Sequence, residues 1–162
     1  MDGATLPTSI TTSTLTTINL FTGEATPVII TTEITPGNYT NVGLTMDLFD
    51  DSTLYSIILN GEYTHTNDSI IPIRFLYVSG ETFEAVLVSY FFPPATNTTC
   101  WLELDPNNWF SVVPRSDLDD ATSVLDSAGV MIISESVNTT VYDPVEGQLV
   151  ATTTSSGIIV CE

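Results

Sequence analysis

Between Val42 and Leu48 every second residue is apolar (Val42, Leu44, Met46, Leu48), while Gly43, Thr45 and Asp47 between them are small or polar. Alternation at period two places one set of side chains on one face of a strand and the other set on the opposite face. The rest of the chain is built from the same material. Thr supplies about one residue in six and Val and Ile are frequent, and β-branched side chains suit a pleated surface while losing χ1 freedom in a helix. The expected class is mainly β: a twisted antiparallel sheet, drawn as a meander of hairpins or as a sandwich-like variant of it.

Turn chemistry divides the chain into candidate strands. Pro36-Gly37 reads as a type II turn, and Asp50-Asp51-Ser52 ends the alternating strand. Leu54 to Leu59 leads into Asn60-Gly61, the strongest short hairpin signal, with Glu62 to Thr66 expected to pair back. A second hairpin is expected from Ile70 to Val78, Ser79-Gly80, and Glu81 to Phe92, whose apolar residues on both faces suggest central strands. Cys100 to Leu104, Trp109 to Val113, Val130 to Val137, Val141-Tyr142, Gln148 to Thr154 and Ile158 to Cys161 are the remaining candidates. One short helix is expected at about 117–128. Ser116 is its N-cap, Asp119 takes the capping-box position, Leu118, Ala121, Leu125 and Ala128 form the apolar face, and Gly129 ends it.

A chain of 162 residues with 43% hydrophobic content can bury a core of its own. The organisation expected is a flexible or edge segment over 1–14 followed by a single β-rich binding domain over 15–162. The apolar runs around Ile70 to Val78 and Ala85 to Phe92 are too short for a membrane-spanning helix, so no membrane insertion is expected. Met1-Asp2-Gly3-Ala4 has neither a basic region nor an apolar one, and no secretory signal is expected there.

Charge narrows the partners. Twenty acidic residues stand against Arg74 and Arg115 alone, with no lysine, for a formal net charge of -18. Phosphate recognition needs several cations on one face, so nucleic acid is excluded as a partner. Two cysteines, Cys100 and Cys161, are a candidate disulfide that would contribute about 4 kcal/mol by closing a long loop. Two reduced thiols packed in strands are the other reading. Four N-glycosylation acceptors occur, at Asn38-Tyr39-Thr40, Asn67-Asp68-Ser69, Asn97-Thr98-Thr99 and Asn138-Thr139-Thr140.

The sequence gives little purchase for catalysis. A serine or cysteine nucleophile normally needs a histidine base, His65 is the single histidine, and no Gly-x-Ser-x-Gly elbow occurs. The acidic clusters Asp47, Asp50, Asp51 and Asp117, Asp119, Asp120 lack the glycine and closing glutamate of a calcium loop, and acids in a first helical turn have a structural cause in the helix dipole. No enzyme, cofactor or metal is expected. Contact suits the residues better. Trp101 and Trp109 offer flat faces, Asn107 and Asn108 neutral hydrogen bonds, and Arg115 a guanidinium, with Asp105 to Trp109 the leading candidate segment. Trp109 as a core aromatic is the competing reading, and Arg74, in mid-strand, reads as structural.

A Thr- and Asn-rich domain of this size, built from short strands, resembles the heads of non-enveloped virus spikes and is similar in these general respects to the outer-capsid spike head of rotaviruses. No motif carries across residue by residue. Those heads are two-sheet sandwiches, whereas this chain reads as a meander interrupted by a helix after Pro114, so the family's glycan site does not transfer. The resemblance implies an attachment head on the virion surface, joined to the rest of the spike or capsid protein and binding a host cell-surface glycan or protein receptor. The scarcity of basic residues would also leave trypsin little to cut. A bacterial or archaeal surface adhesin or pilin-like module on an extracellular cell surface is the alternative.

Overall fold

The structure is a computed structural model that describes residues 16–19, 22, 24–28, 34–50, 54–94, 97, 100–153 and 158–161, without the side chains of 87, 88, 100–103, 152, 153 and 158–161. The expected segment 1–14, and with it the boundary at residue 15, lies outside the described residues. The chain is mainly β. Its strands are β1 (Thr17–Ile18), β2 (Ala25–Thr26), β3 (Gly37–Asp47), β4 (Ile57–Thr64), β5 (Ile70–Tyr77), β6 (Thr82–Phe92), β7 (Cys100–Glu103), β8 (Met131–Ile133) and β9 (Ile158–Cys161). Its helices are α1 (Pro106–Phe110), α2 (Arg115–Ala121) and α3 (Thr139–Thr153). Contacts gather into two compact units, one of Met1–Leu44, Ala85–Leu104 and Ile158–Glu162, the other of Thr45–Glu84 and Asp105–Gly157.

In the first unit β1 pairs with β2 and β7 with β9, both antiparallel. Phe92 is buried there, with Tyr39 edge-on at 5.4 Å and Tyr90 at 4.8 Å. β3 and β6 pair with each other, and the residues of each are divided between the two units. The alternation expected from Val42 onward is present in β3, with Val42, Leu44 and Met46 on the more buried side. Its phase slips between Thr40 and Asn41, where Asn41 takes a left-handed φ of 55°. Asparagine tolerates that conformation better than most residues.

The second unit holds a three-stranded sheet in the order β4-β5-β8, antiparallel between β4 and β5 and parallel between β5 and β8. The expected turn at Asn60-Gly61 does not form. β4 runs straight through it, with Asn60 opposite Arg74 and Gly61 opposite Ile73. The reversal comes at His65 to Ser69, where Asp68 takes φ 65°, the Asn67 Oδ1 accepts from the Ser69 N–H at 3.0 Å, and the His65 N–H donates to the Ser69 carbonyl at 2.9 Å. An Asx turn with a left-handed residue satisfies the backbone locally, so the Asn-Gly pair is free to stay extended. The second expected hairpin also dissolves: β5 and β6 are strands, but β5 pairs with β4 and β8, and β6 with β3.

Three expected strands are helical in part or in full: Trp109 to Val113 begins within α1, and Val141-Tyr142 and Gln148 to Thr154 fall within or largely within α3. Asp105-Pro106-Asn107-Asn108 is a helix start, because the Asp105 carboxylate caps the Asn107 and Asn108 N–H groups at 3.0 and 3.4 Å and Pro106 occupies the first helical position. Gln148 to Thr154, expected as strand, lies largely within α3, which also takes in Val141-Tyr142 and Asp143-Pro144. Val141, Val145 and Leu149 recur every four residues and are fully buried, and Tyr142 lies beside them. Burial of that stripe outweighs the backbone hydrogen bond that Pro144 cannot make. The expected helix is present but displaced and shorter. α2 begins at Arg115 after Pro114, which supplies no side-chain cap, and ends at Ala121. Leu125 instead bridges to Met131, and Gly129 adopts φ 78° in a turn closed by the Asp126 N–H donating to the Val130 carbonyl at 2.9 Å.

Helices α1, α2 and α3 pack together, and α3 lies against β8. Between them and the sheet sits an aromatic core. Phe75 meets Tyr77, Phe110 and Tyr142 at 6.3, 5.6 and 5.7 Å, and Phe83 stacks on Trp109 at 6.2 Å. Burial pushes the Tyr77 hydroxyl up to about 12 and the Tyr142 hydroxyl higher still, with Glu146 nearby adding to both effects.

Candidate functional site

A sheet covered by helices on one side has a second face, and the register of β4, β5 and β8 determines what that face carries. Phe75 and Tyr77 point into the core, so Arg74 and Leu76 point the other way. Cross-strand pairing sets Asn60 opposite Arg74 and Arg74 opposite Ile132, giving one row over all three strands, with Ile58 opposite Leu76 beside it. Tyr55, just before β4, completes the group. These six residues line a shallow depression of about 450 Å³. Ile58 and Tyr55 are 54% and 50% exposed, so the row keeps apolar side chains open to solvent.

Arg74 is the polar centre of this surface. Its Nε donates to the Asn60 Oδ1 at 3.0 Å, which orients the guanidinium across the strands. No carboxylate of the described residues lies within ion-pair distance of it. Asp126 feels its charge from further away. The Val130 N–H, chiefly, holds the Asp126 carboxyl below the usual range, with the Ala128 N–H and the Arg74 charge assisting and partial burial opposing. An aromatic ring, three aliphatic side chains, one amide and one guanidinium can take a flat ligand with an apolar face and hydrogen-bond acceptors at its edge.

The second arginine belongs to a different cluster, where the 65–69 turn meets α2. Tyr63 donates its hydroxyl proton to the Asp119 Oδ1 at 2.7 Å, the Thr66 N–H reaches the same oxygen at 3.3 Å, and the Arg115 Nη2 donates to the Thr64 carbonyl at 3.2 Å. The Tyr63 hydrogen bond is the chief reason the Asp119 carboxyl titrates below its usual range. His65 Nε2 lies 3.6 Å from the same carboxylate oxygen. Its Nδ1 accepts the Asn67 N–H at 3.1 Å, so the lone pair is engaged and Nε2 carries the proton. Thr66 Oγ1 is 3.4 Å from that same Nδ1, but a nitrogen already accepting a backbone proton is a poor base for it. The cluster fastens the turn to α2.

The residues singled out from sequence are scattered. Trp109 is 1% exposed and stacks on Phe83, which removes its ring from any surface role. Asn107 and Asn108 are exposed on α1, and Arg115 is exposed at the start of α2. Trp101 lies on β7 and its side chain is outside the described set. Register places Cys100 directly opposite Cys161 between β7 and β9, and facing positions of an antiparallel pair fall within the Cα separation a disulfide requires. Among the described residues no three His, Cys, Asp or Glu side chains converge as a metal site, and no helix is long and apolar enough to cross a membrane. Tyr55, Ile58, Asn60, Leu76 and Ile132 were not candidates from sequence. Leu76 had a signal in the two-sided apolar character of Ile70 to Val78, interrupted by one arginine; Tyr55, Ile58, Asn60 and Ile132 come from other segments and join it only through the fold. No family model matches the chain, and no curated protein or solved structure matches it.

Proposed function

We propose that the chain is a non-catalytic contact module, the attachment head of a virus spike, and that it binds a host cell-surface glycan through the Arg74 row. The observation that carries this reading is an exposed apolar sheet face with one of the chain's two cations at its centre. Sugars present just such an apolar C–H face with hydroxyl acceptors around it. Tyr55 supplies the ring for stacking, and Arg74 and Asn60 supply directional hydrogen bonds. The acidic body, at net charge -18, discourages non-specific adhesion to anionic surfaces and leaves specificity to this patch.

The test is a glycan array carrying neutral and carboxylated sugars, run with the isolated chain beside competition for cell binding. Binding to a restricted set of glycans and to cells displaying them is expected. If the folded chain binds neither the array nor any cell type, the attachment reading fails.

A further inference from the structure

Four Asn-x-Ser/Thr acceptors look equivalent in sequence, yet the fold treats two of them in opposite ways. Asn67 lies at the tip of the β4–β5 turn and is exposed. Its side-chain oxygen accepts both the Ser69 N–H at 3.0 Å and the Ser69 hydroxyl at 2.6 Å. Its Nδ2 makes no hydrogen bond to a described residue. Asp68 between them takes φ 65°.

Asn138 is half-buried, and its Nδ2 is committed to the fold. It donates to the Ile132 carbonyl at 2.7 Å and reaches the Val124 carbonyl at 3.5 Å. The Asn138 carbonyl accepts the Val141 and Tyr142 N–H groups at 3.0 Å each, and its φ is 54°. Asn138 therefore ties β8 to the start of α3, directly ahead of the buried Val141 and Tyr142.

We infer that Asn67 is an N-glycan acceptor and that Asn138, despite its matching sequon, is a structural tie to the Ile132 and Val124 carbonyls that carries none in the folded protein. The transfer needs a lipid-linked oligosaccharyl pyrophosphate as donor. The sugar C1–O bond to pyrophosphate breaks, a C1–Nδ2 bond forms, and the amide loses one proton as the pyrophosphate leaves with the bonding electrons. At Asn67 the incoming sugar meets solvent. At Asn138 it would replace a hydrogen now directed at a main-chain carbonyl and place a sugar ring between β8 and the 124 segment, leaving a half-buried carbonyl without its donor. The inference is independent of what the Arg74 row binds.

The experiment is expression of the full chain behind a secretory leader in eukaryotic cells, followed by peptide mapping with and without glycosidase. A glycopeptide spanning Asn67 and an unmodified peptide spanning Asn138 are expected in the secreted folded protein. Asn67→Gln should remove that glycan without changing Tm. Asn138→Gln, in unglycosylated protein made in bacteria, should lower Tm by roughly 3–6 °C through the lost buried hydrogen bonds. A glycan on Asn138 in folded material, an empty Asn67, or an unchanged Tm for Asn138→Gln would each overturn the inference.

Discussion

Replacing Trp109 by alanine separates a core role from a contact role more sharply than any other single change. The ring is 1% exposed, stacked on Phe83 at 6.2 Å with the planes 28° apart, and held on a five-residue helix that Asp105 caps. A buried tryptophan removes about 150–250 Å² from water, which at about 25 cal/mol per Å² is about 4–6 kcal/mol. Large aromatic-to-alanine changes in cores cost about 3–5 kcal/mol once partial collapse is allowed for. Trp109→Ala should therefore lose about 3–5 kcal/mol from the unit that contains it. For a chain of this size that corresponds to roughly 6–20 °C in Tm. Urea titration followed by far-UV circular dichroism measures it, and Trp109→Phe, which keeps an aromatic face on Phe83, should recover roughly half. A loss below about 1 kcal/mol, or a selective loss of binding at unchanged stability, would refute the core assignment and return Trp109 to the surface.

Tyr77 and Tyr142, two of six tyrosines, have hydroxyls raised above the usual 10.0 by burial. A raised folded value stabilises the protein fully below pH 10 and loses that stabilisation as pH climbs toward 12 and beyond; Tyr63 is also raised, chiefly by desolvation, and tyrosinate absorbance should show Tyr77 and Tyr142 as the latest groups, titrating together with unfolding, whereas all six titrating alike near pH 10 with the fold intact would contradict this. Gly80→Ala places a Cβ 2.7 Å from the Asp50 Cβ, and should cost about 1–3 kcal/mol by denaturant titration because that loop must move; an unchanged midpoint refutes the close approach. Cys100 and Cys161 face each other in register, so protein from an oxidising compartment should show no titratable thiol and lose about 4 kcal/mol on reduction, whereas two titrating thiols in unfolded, unreduced protein would mean no bridge forms.

Local pattern revealed the strands and concealed their partners. The alternation of Val42, Leu44 and Met46 is a property of neighbours along the chain, and it survives intact in β3. Pairing is decided at a distance. Asn60-Gly61 carries a hairpin signal, yet β4 gains more by running eight residues against β5 with the reversal left to the Asx turn at Asn67. α3 was hidden because Pro144 and the β-branched Val141 and Val145 each argue against helix locally, and only burial of Val141, Val145 and Leu149 on one stripe reverses the balance. Asp105-Pro106 illustrates a true degeneracy, since a capping acid and a proline open a helix as readily as a turn.

The site followed the same logic. Ile70 to Tyr77 is apolar on both faces, which read as a strand buried on both sides, with Arg74 structural. Among the described residues, helices cover the Phe75 and Tyr77 face. Which face stays open depends on where α1 and α3 dock, and nothing within the strand encodes that. Trp109 and Arg115 were conspicuous by residue type, but the fold spent one in the core and the other on fastening a turn.

Titration of a glycan bound by the chain, with wild-type protein and with Arg74→Ala, tests the contact role of this face most directly. Arg74 is exposed and its described side-chain bond is to Asn60, so Tm should hold within about 2 °C. Loss of a charged hydrogen-bond donor should raise Kd by about tenfold or more. An unchanged Kd at unchanged Tm would contradict the account and place the contact surface elsewhere on the molecule.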